Sequence, residues 1–161
     1  RIILSLLTTG TVLLLLVACA KPTALTVFYI TPDNQNGAMP IGEGCNDYIA
    51  PMQITKKVVN KPTGKISSAL EEILNTAKSI QLAEVVQQKL GTVETILVKL
   101  AYDANEPSGE TCKLLGLKAQ IKETVRANAD NMPFIMGLNE SIKNWECLGS
   151  GEKDLGCTTR P

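Results

Sequence analysis

Residues 95–102 read TILVKLAY, which is the clearest strand pattern in the chain, and residues 105–109 (NEPSG) after them have the composition of a turn. Residues 24–31 (ALTVFYIT) predict another strand, apolar enough to be buried on both faces. Residues 52–60 (MQITKKVVN) predict a moderate strand, and residues 133–138 (PFIMGL) a last, short one. We therefore expect a mixed or antiparallel sheet of about four strands.

Two main helices are expected beside this sheet. The first begins at residues 68–71 (SALE), a capping box in which Ser68 bonds free backbone N–H groups and Glu71 reaches back to it. The second covers residues 117–129, whose apolar residues recur at helical spacing on one face: Leu117, Ile121 and Val125. Residues 83–90 predict a short additional helix. Strands and helices that alternate irregularly favour a single small α+β domain, with the two main helices on one face of the sheet.

The polar segments between and after these elements predict exposed chain. Residues 32–44 are rich in Asn, Gly and Pro, and we expect a long exposed loop there. Residues 139–161 are polar and Gly-rich, and Trp145 is their only large anchor. We expect the distal end of this segment to be poorly ordered unless a bridge between Cys147 and Cys157 holds it.

The N-terminal residues indicate export. Residues 2–18 are uncharged and mostly Leu, Ile, Val and Thr, and they end in the run Leu16-Val17-Ala18-Cys19. The apolar stretch has the length of a signal-peptide core, and small residues follow it. The run resembles the lipobox of bacterial lipoproteins. That resemblance implies cleavage before Cys19 and a lipid anchor, with palmitate among its acyl groups, on the new N-terminal cysteine.

Two alternatives to a lipid anchor stay open. Ala18-Cys19-Ala20 also fits an A-x-A cleavage site for ordinary secretion. An uncleaved anchor is the other, although the apolar run is near the lower limit for crossing about 30 Å of hydrocarbon. No initiator Met precedes Arg1, so we expect the recorded chain to lack its first residues. The expected organisation is a signal peptide at 1–18, a tether at 19–23, one domain at 24–146 and a tail at 147–161.

Charge and composition exclude several classes of function. The chain has 16 Lys and Arg against 16 Asp and Glu, so no basic surplus indicates nucleic acid as a partner. It has no histidine, which removes the commonest general base, the commonest metal ligand and any Ser-His or Cys-His nucleophile pair. We therefore expect a protein that is not an enzyme and that uses no cofactor or metal.

The chain has five cysteines, an odd number: Cys19, Cys45, Cys112, Cys147 and Cys157. Disulfides persist outside the cytoplasm, and lipidation of Cys19 would leave four cysteines, which allow three pairings. Joining Cys147 to Cys157 closes a short loop at the lowest cost in chain entropy. Cys45 and Cys112 would then form a long-loop bridge that constrains the unfolded chain more strongly. A zinc site is disfavoured because the chain has neither a C-x-x-C motif nor histidine.

Six segments occur in a recognisable order and spacing: Tyr29-Ile30, residues 44–51 (GCNDYIAP), residues 69–74 (ALEEIL), residues 109–112 (GETC), residues 120–125 (QIKETV) and residues 134–139 (FIMGLN). Together they resemble the GerMN domains, named for sporulation and spore germination proteins. The second of these resembles the G-C-x-D-x-x-x-P segment of many lipoprotein members. The resemblance covers residues 24–146.

The resemblance implies an α+β domain of bacterial lipoproteins and envelope enzymes, with no known catalytic residues. It places Cys45 and Cys112 at matching motif positions, which independently favours pairing them, whereas Cys147 and Cys157 lie outside the match. The family usually has a pair of strands before the G-x-C segment. Here residues 95–102 run almost at once into residues 105–109, so we expect one strand to be shortened.

The function expected is a non-catalytic, membrane-anchored interaction module that binds envelope proteins or peptidoglycan. The alternative is a solute- or glycan-binding module that serves an envelope enzyme or transporter. The candidate binding residues are Asp47, Tyr48, Gln120, Thr124 and Trp145. Four of them also have a structural interpretation: a turn for Asp47, helix packing or capping for Gln120 and Thr124, and a packing anchor for Trp145.

Overall fold

The computed structural model describes residues 20–34, 37–42, 44–75, 80–102, 111–141 and 144–150. Within those ranges the elements are β1 (Ala20–Thr31), β2 (Met39–Pro40), β3 (Tyr48–Val59), α1 (Pro62–Leu74), β4 (Ile80–Leu90), β5 (Val93–Tyr102), α2 (Thr111–Asn128), β6 (Phe134–Ser141) and β7 (Asn144–Ser150). The predicted α+β class with two main helices is confirmed. The described strands form two sheets, however, where the sequence predicted one.

The first sheet is antiparallel and has the order β1-β3-β2. Strands β1 and β3 pair over their whole length, from Ala20 opposite Val59 to Thr31 opposite Tyr48. The strands predicted at 24–31 and 52–60 are thus confirmed, and each begins four residues earlier than predicted. Residues 20–23, expected to form a tether, are instead the first rungs of this ladder.

The second sheet has the order β4-β5-β6-β7. Strands β5 and β6 are parallel, and α2 lies between them in the chain, as a crossover connection requires. The strands predicted at 95–102 and 133–138 are confirmed, as is the helix predicted at 117–129, which begins earlier, at Thr111. Strand β7 follows at residues 144–150, although the strand at 133–138 was predicted to be the last one.

The prediction of a helix at residues 83–90 is wrong, because these residues belong to strand β4. Leu90 pairs with Val93, and the two-residue turn between them places Gly91 at φ +59°, a conformation that glycine adopts without strain. The resulting hairpin pairs β4 with β5 over its whole length, with one register shift between Leu82 and Glu84. This pairing outweighs the local helical preference of the segment. The shortened strand expected before α2 therefore does not occur.

Helix α1 begins at Pro62, six residues before the predicted capping box. Lys61 is the N-cap residue and its side chain makes no capping bond, whereas proline at the first helical position has its backbone preset for a helix. The capping role predicted for Ser68 is wrong, because Ser68 lies in the middle of the helix. A Cβ on Gly64 would lie 2.6 Å from the carbonyl oxygen of Val59, so only glycine lets α1 begin this close to the end of β3.

The main core lies where the two helices pack against the two sheets. Ile121 and Val125 of α2 are fully buried in it, and Leu117 packs against it, as the apolar face predicted for this helix requires. The other large side chains that are fully buried include Leu25, Ile66, Leu70, Ile73, Ile80, Ile96, Leu100, Phe134 and Met136. A smaller second core lies apart from this one, and it supports the candidate site.

Candidate interaction surface

A disulfide between Cys45 and Cys112 confirms one of the two predicted bridges. It joins the segment after β2 to the first turn of α2, with the two Cα atoms 5.7 Å apart and 67 residues apart in sequence. The bridge thereby ties the loop before β3 to a helix from the other half of the chain. It lies at the end of the first sheet where β1 finishes and β3 begins.

The second core lies directly behind this bridge. Phe28, Ile41 and Ile49 are buried in it, and both bridged cysteines pack against it together with Met39 and Ala119. The N–H of Ile41 donates to the carbonyl of Asp47 at 3.3 Å, and the N–H of Cys45 donates to the carbonyl of Gly42 at 3.4 Å. The segment predicted as an exposed loop at 32–44 therefore contributes a strand and a buried side chain.

Two large apolar side chains remain exposed beside the bridge. Ile30 at the end of β1 is 42% exposed, and Leu115 in α2 is 36% exposed. Each of them packs against the backbone of a glycine. A Cβ on Gly116 would lie 3.0 Å from Ile30 Cδ1, and one on Gly42 would lie 3.5 Å from Leu115 Cδ1. We call Ile30, Gly42, Cys45, Cys112 and Leu115 the disulfide-end surface.

Two of the predicted binding residues lie next to this surface. Asp47 is half-buried, and its backbone carbonyl holds Ile41 in place. Tyr48 is the first residue of β3, half-buried, and pairs with Thr31 on one side and with Pro40 on the other. The structure thus brings together the residues after the G-C motif, the disulfide and the exposed end of β1.

Thr124 has a structural partner inside the protein. Its hydroxyl accepts the backbone N–H of Phe28 at 3.1 Å, and both residues are buried. One turn later, Asn128 accepts the N–H of Thr26 at 3.3 Å and donates to the carbonyls of Thr26 and Thr124 at 2.6 and 2.7 Å. These bonds occupy the edge of β1 that β3 leaves unpaired, so α2 closes the sheet on that side.

The spacing of these polar residues matches the strand beside them. Four residues of helix rise about 6 Å, and two residues of strand rise about 6.8 Å, so successive turns of α2 meet alternate residues of β1. Gln120 lies one turn before Thr124 and is only 7% exposed, which places it behind the disulfide-end surface. Sequence reasoning missed Asn128, although a polar residue at each fourth position beside the apolar stripe would have pointed to it.

The remaining predicted residues are separate from this surface or outside the description. Trp145 lies in β7 opposite Asn139, and Cys147 lies in β7 opposite Gly137, but the side chains of both are outside the described part of the chain. Cys157 and Cys19 are also outside it. The bridge between Cys147 and Cys157 and the lipid on Cys19 therefore stay predictions.

The phenol of Tyr29 in β1 has a perturbed pKa. Burial raises the pKa of the Tyr29 phenol, the nearby Glu72 carboxylate raises it further, and the Lys56 ammonium opposes both. Lys56 itself contacts Glu72 at 2.6 Å. This arrangement keeps Tyr29 a neutral, half-buried packing residue on the core face of β1.

Two features are absent from the residues that the structure describes, a cluster of metal ligands and a membrane-spanning helix. In those ranges no three His, Cys, Asp or Glu side chains lie close enough together to hold a metal ion. No helix there is long and apolar enough to cross a membrane.

Comparison with protein-family models finds no matching family, and comparison with curated proteins and with solved structures finds no match either. The function must therefore be argued from the chain and its own geometry.

Proposed function

We propose that this chain is a lipid-anchored lipoprotein of the bacterial cell envelope, with a GerMN-like domain outside the cytoplasm. Its lipid is carried by Cys19, and its disulfide-end surface binds an envelope protein or peptidoglycan without catalysis. The observation that carries the proposal is the gathering of two exposed apolar side chains, Ile30 and Leu115, on a surface fixed by a disulfide.

The rigidity of this surface supports a binding role. Ile30 is the next-to-last residue of β1, which is paired along its whole length, and Leu115 lies one turn from the bridged Cys112. Adjacent exposed apolar side chains on a fixed backbone lose little entropy when a partner covers them. The half-buried Asp47 and Tyr48 beside them offer polar groups for the rim of an interface.

The position of the surface relative to the anchor also supports the proposal. Strand β1 begins at Ala20, directly after Cys19, and its 12 residues end next to the disulfide-end surface. At about 3.3 Å per residue, the strand spans about 36 Å. A partner could therefore be bound well away from the lipid.

The resemblance to GerMN domains gains support from two features. The β4–β5 hairpin supplies the pair of strands that the family usually has before the G-x-C segment. The bridge between Cys45 and Cys112 joins the two cysteine motifs that the resemblance is based on.

Site-specific photo-crosslinking in intact cells tests the binding surface. A photoreactive residue at Leu115 should give recurrent adducts, whereas the same residue at Val93 should not. Val93 is the matched control because it is 41% exposed, equally apolar, and lies on the other sheet. Recurrent protein adducts would support a scaffold role, and wall fragments without protein would support glycan binding. Equal adducts at both positions would contradict the proposed surface.

The anchor is tested by detergent phase partitioning and by the intact mass of the native protein. We expect the protein in the detergent phase, with a mass that shows acyl groups on Cys19. A fully aqueous product that begins at Ala20 or Lys21 would contradict the lipoprotein assignment.

A further inference from the structure

The end of the first sheet opposite the disulfide is strongly basic. Residues 20–23 and 56–65 form the first rungs of the β1–β3 ladder and the start of α1. These residues contain no Asp or Glu and five lysines: Lys21, Lys56, Lys57, Lys61 and Lys65. A chain with balanced charge overall therefore has a local excess of positive charge at this end.

Two of these five lysines pair with carboxylates from elsewhere in the chain. Lys56 contacts Glu72 at 2.6 Å, and Lys65 contacts both carboxylate oxygens of Asp130 at 2.8 and 2.9 Å. The other three lysines, Lys21, Lys57 and Lys61, are exposed to solvent. Val59, which pairs with Ala20 at this end of the ladder, is 41% exposed on the same face as Lys57, and Lys21 lies on the other face. We call Lys21, Lys57, Val59 and Lys61 the anchor-end surface.

The start of β1 determines where this surface lies relative to Cys19. Ala20 is already paired with Val59, so no unpaired residue separates Cys19 from the sheet. Lys57 is opposite Pro22, which is two residues after Ala20 in β1. Along the strand direction, Lys57 is therefore only about 7 Å from the start of the sheet. That distance is within one Debye length at physiological ionic strength, about 8 Å, so charges there act on a nearby lipid surface.

We propose that the anchor-end surface rests on anionic phospholipid headgroups of the membrane that holds Cys19. The inference depends on the proposed function, because lipid on Cys19 brings this end of the sheet to the bilayer. Lysines near an anionic bilayer each favour contact about fivefold, and Val59 adds apolar contact at the interface. The contact keeps β1 pointing away from the membrane, so that the disulfide-end surface faces the envelope.

Lysine footprinting tests the contact on the lipidated full chain. The protein is reconstituted in phosphatidylcholine vesicles with or without phosphatidylglycerol, its lysines are acetylated, and the modified sites are quantified by mass spectrometry. On the anionic vesicles we expect Lys21, Lys57 and Lys61 to react much more than fivefold more slowly, because each of the three lysines favours the contact about fivefold, and we expect high salt to abolish the difference. Lys113 in α2, which is exposed and adjoins the bridged Cys112 at the opposite end of the first sheet, should react equally on both.

A single substitution separates this contact from general shielding by the bilayer. Lys57→Gln should increase the acetylation of Lys21 and Lys61 on anionic vesicles about fivefold, toward the rate on neutral vesicles. Lys113→Gln removes the same charge beside the disulfide and should leave both rates unchanged. Equal reactivity on both vesicle types, with lipid present on Cys19, would overturn this inference and leave the proposed function intact. Protein that carries no lipid and does not float with vesicles would overturn the proposed function, and this inference with it.

Discussion

At the scale of single residues, the structure shows how a residue type can suit two roles that the sequence does not distinguish. Thr124 was a candidate for binding, and its position on a helix face suited that role. Its hydroxyl instead accepts the backbone N–H of Phe28 inside the protein, because α2 lies along the open edge of β1. The partner of Thr124 is 96 residues away in sequence, so no local pattern could identify it.

Replacement of Thr124 by valine should destabilise the protein. Valine has nearly the same shape but no acceptor, so the buried N–H of Phe28 would lose its partner at a cost of about 1–3 kcal/mol in the free energy of unfolding. Urea unfolding of the two proteins measures this difference. Thr124→Ser keeps the hydroxyl and should cost less, whereas Thr55→Val on the exposed face of β3 should be near neutral. A Thr124→Val protein as stable as wild type would contradict the proposed edge closure.

At the scale of elements, sequence periodicity predicted strands β1, β3, β5 and β6 and helix α2, because each has a strong apolar pattern of its own. Strand β4 was missed because AEVVQQKL suits a helix almost as well as a strand, and its partner β5 decides the outcome. The start of α1 was missed because residues 68–71 (SALE) have the composition of a capping box although they lie inside the helix. Gly64, which decides where α1 begins, meets a carbonyl that the sequence alone does not place beside it.

Replacement of Gly64 by alanine tests this account of the start of α1. Alanine is about 1 kcal/mol better than glycine in a helix, so an unhindered site would gain stability. Here the new Cβ meets the backbone oxygen of Val59, which cannot move without disturbing the pairing of Val59 with Ala20. We expect a net loss of about 1–2 kcal/mol in urea unfolding.

Ser68→Ala is the matched control on the same helix. It should be neutral or slightly stabilising, because Ser68 lies inside α1 and alanine favours helices. A loss of about 1 kcal/mol on this substitution would instead indicate that Ser68 caps the helix after all. The two substitutions together distinguish a helix that begins at Pro62 from one that begins at the capping box.

At the scale of the whole molecule, the fold separates two ends with different chemistry. The end where β1 starts is basic and adjoins Cys19, and the end where β1 finishes is apolar and closed by the disulfide. Balanced total charge conceals this asymmetry, which appears only when the ladder brings residues 20–23 beside residues 56–59. Both proposals depend on this polarity, one on each end.

Removal of the bridge tests how far the disulfide end depends on it. The bridge closes a loop of 67 residues, so the chain-entropy relation gives a loss of about 4 kcal/mol in the free energy of unfolding for Cys45→Ala/Cys112→Ala. Urea unfolding measures the loss, and crosslinking through Leu115 should weaken because the second core loses its tie to α2. A loss under about 1 kcal/mol would show that the packing of Phe28, Ile41 and Ile49 holds this end without the bridge.

Adding dithiothreitol to the double variant then tests the other predicted bridge, because a further loss of stability is expected only if Cys147 and Cys157 are joined.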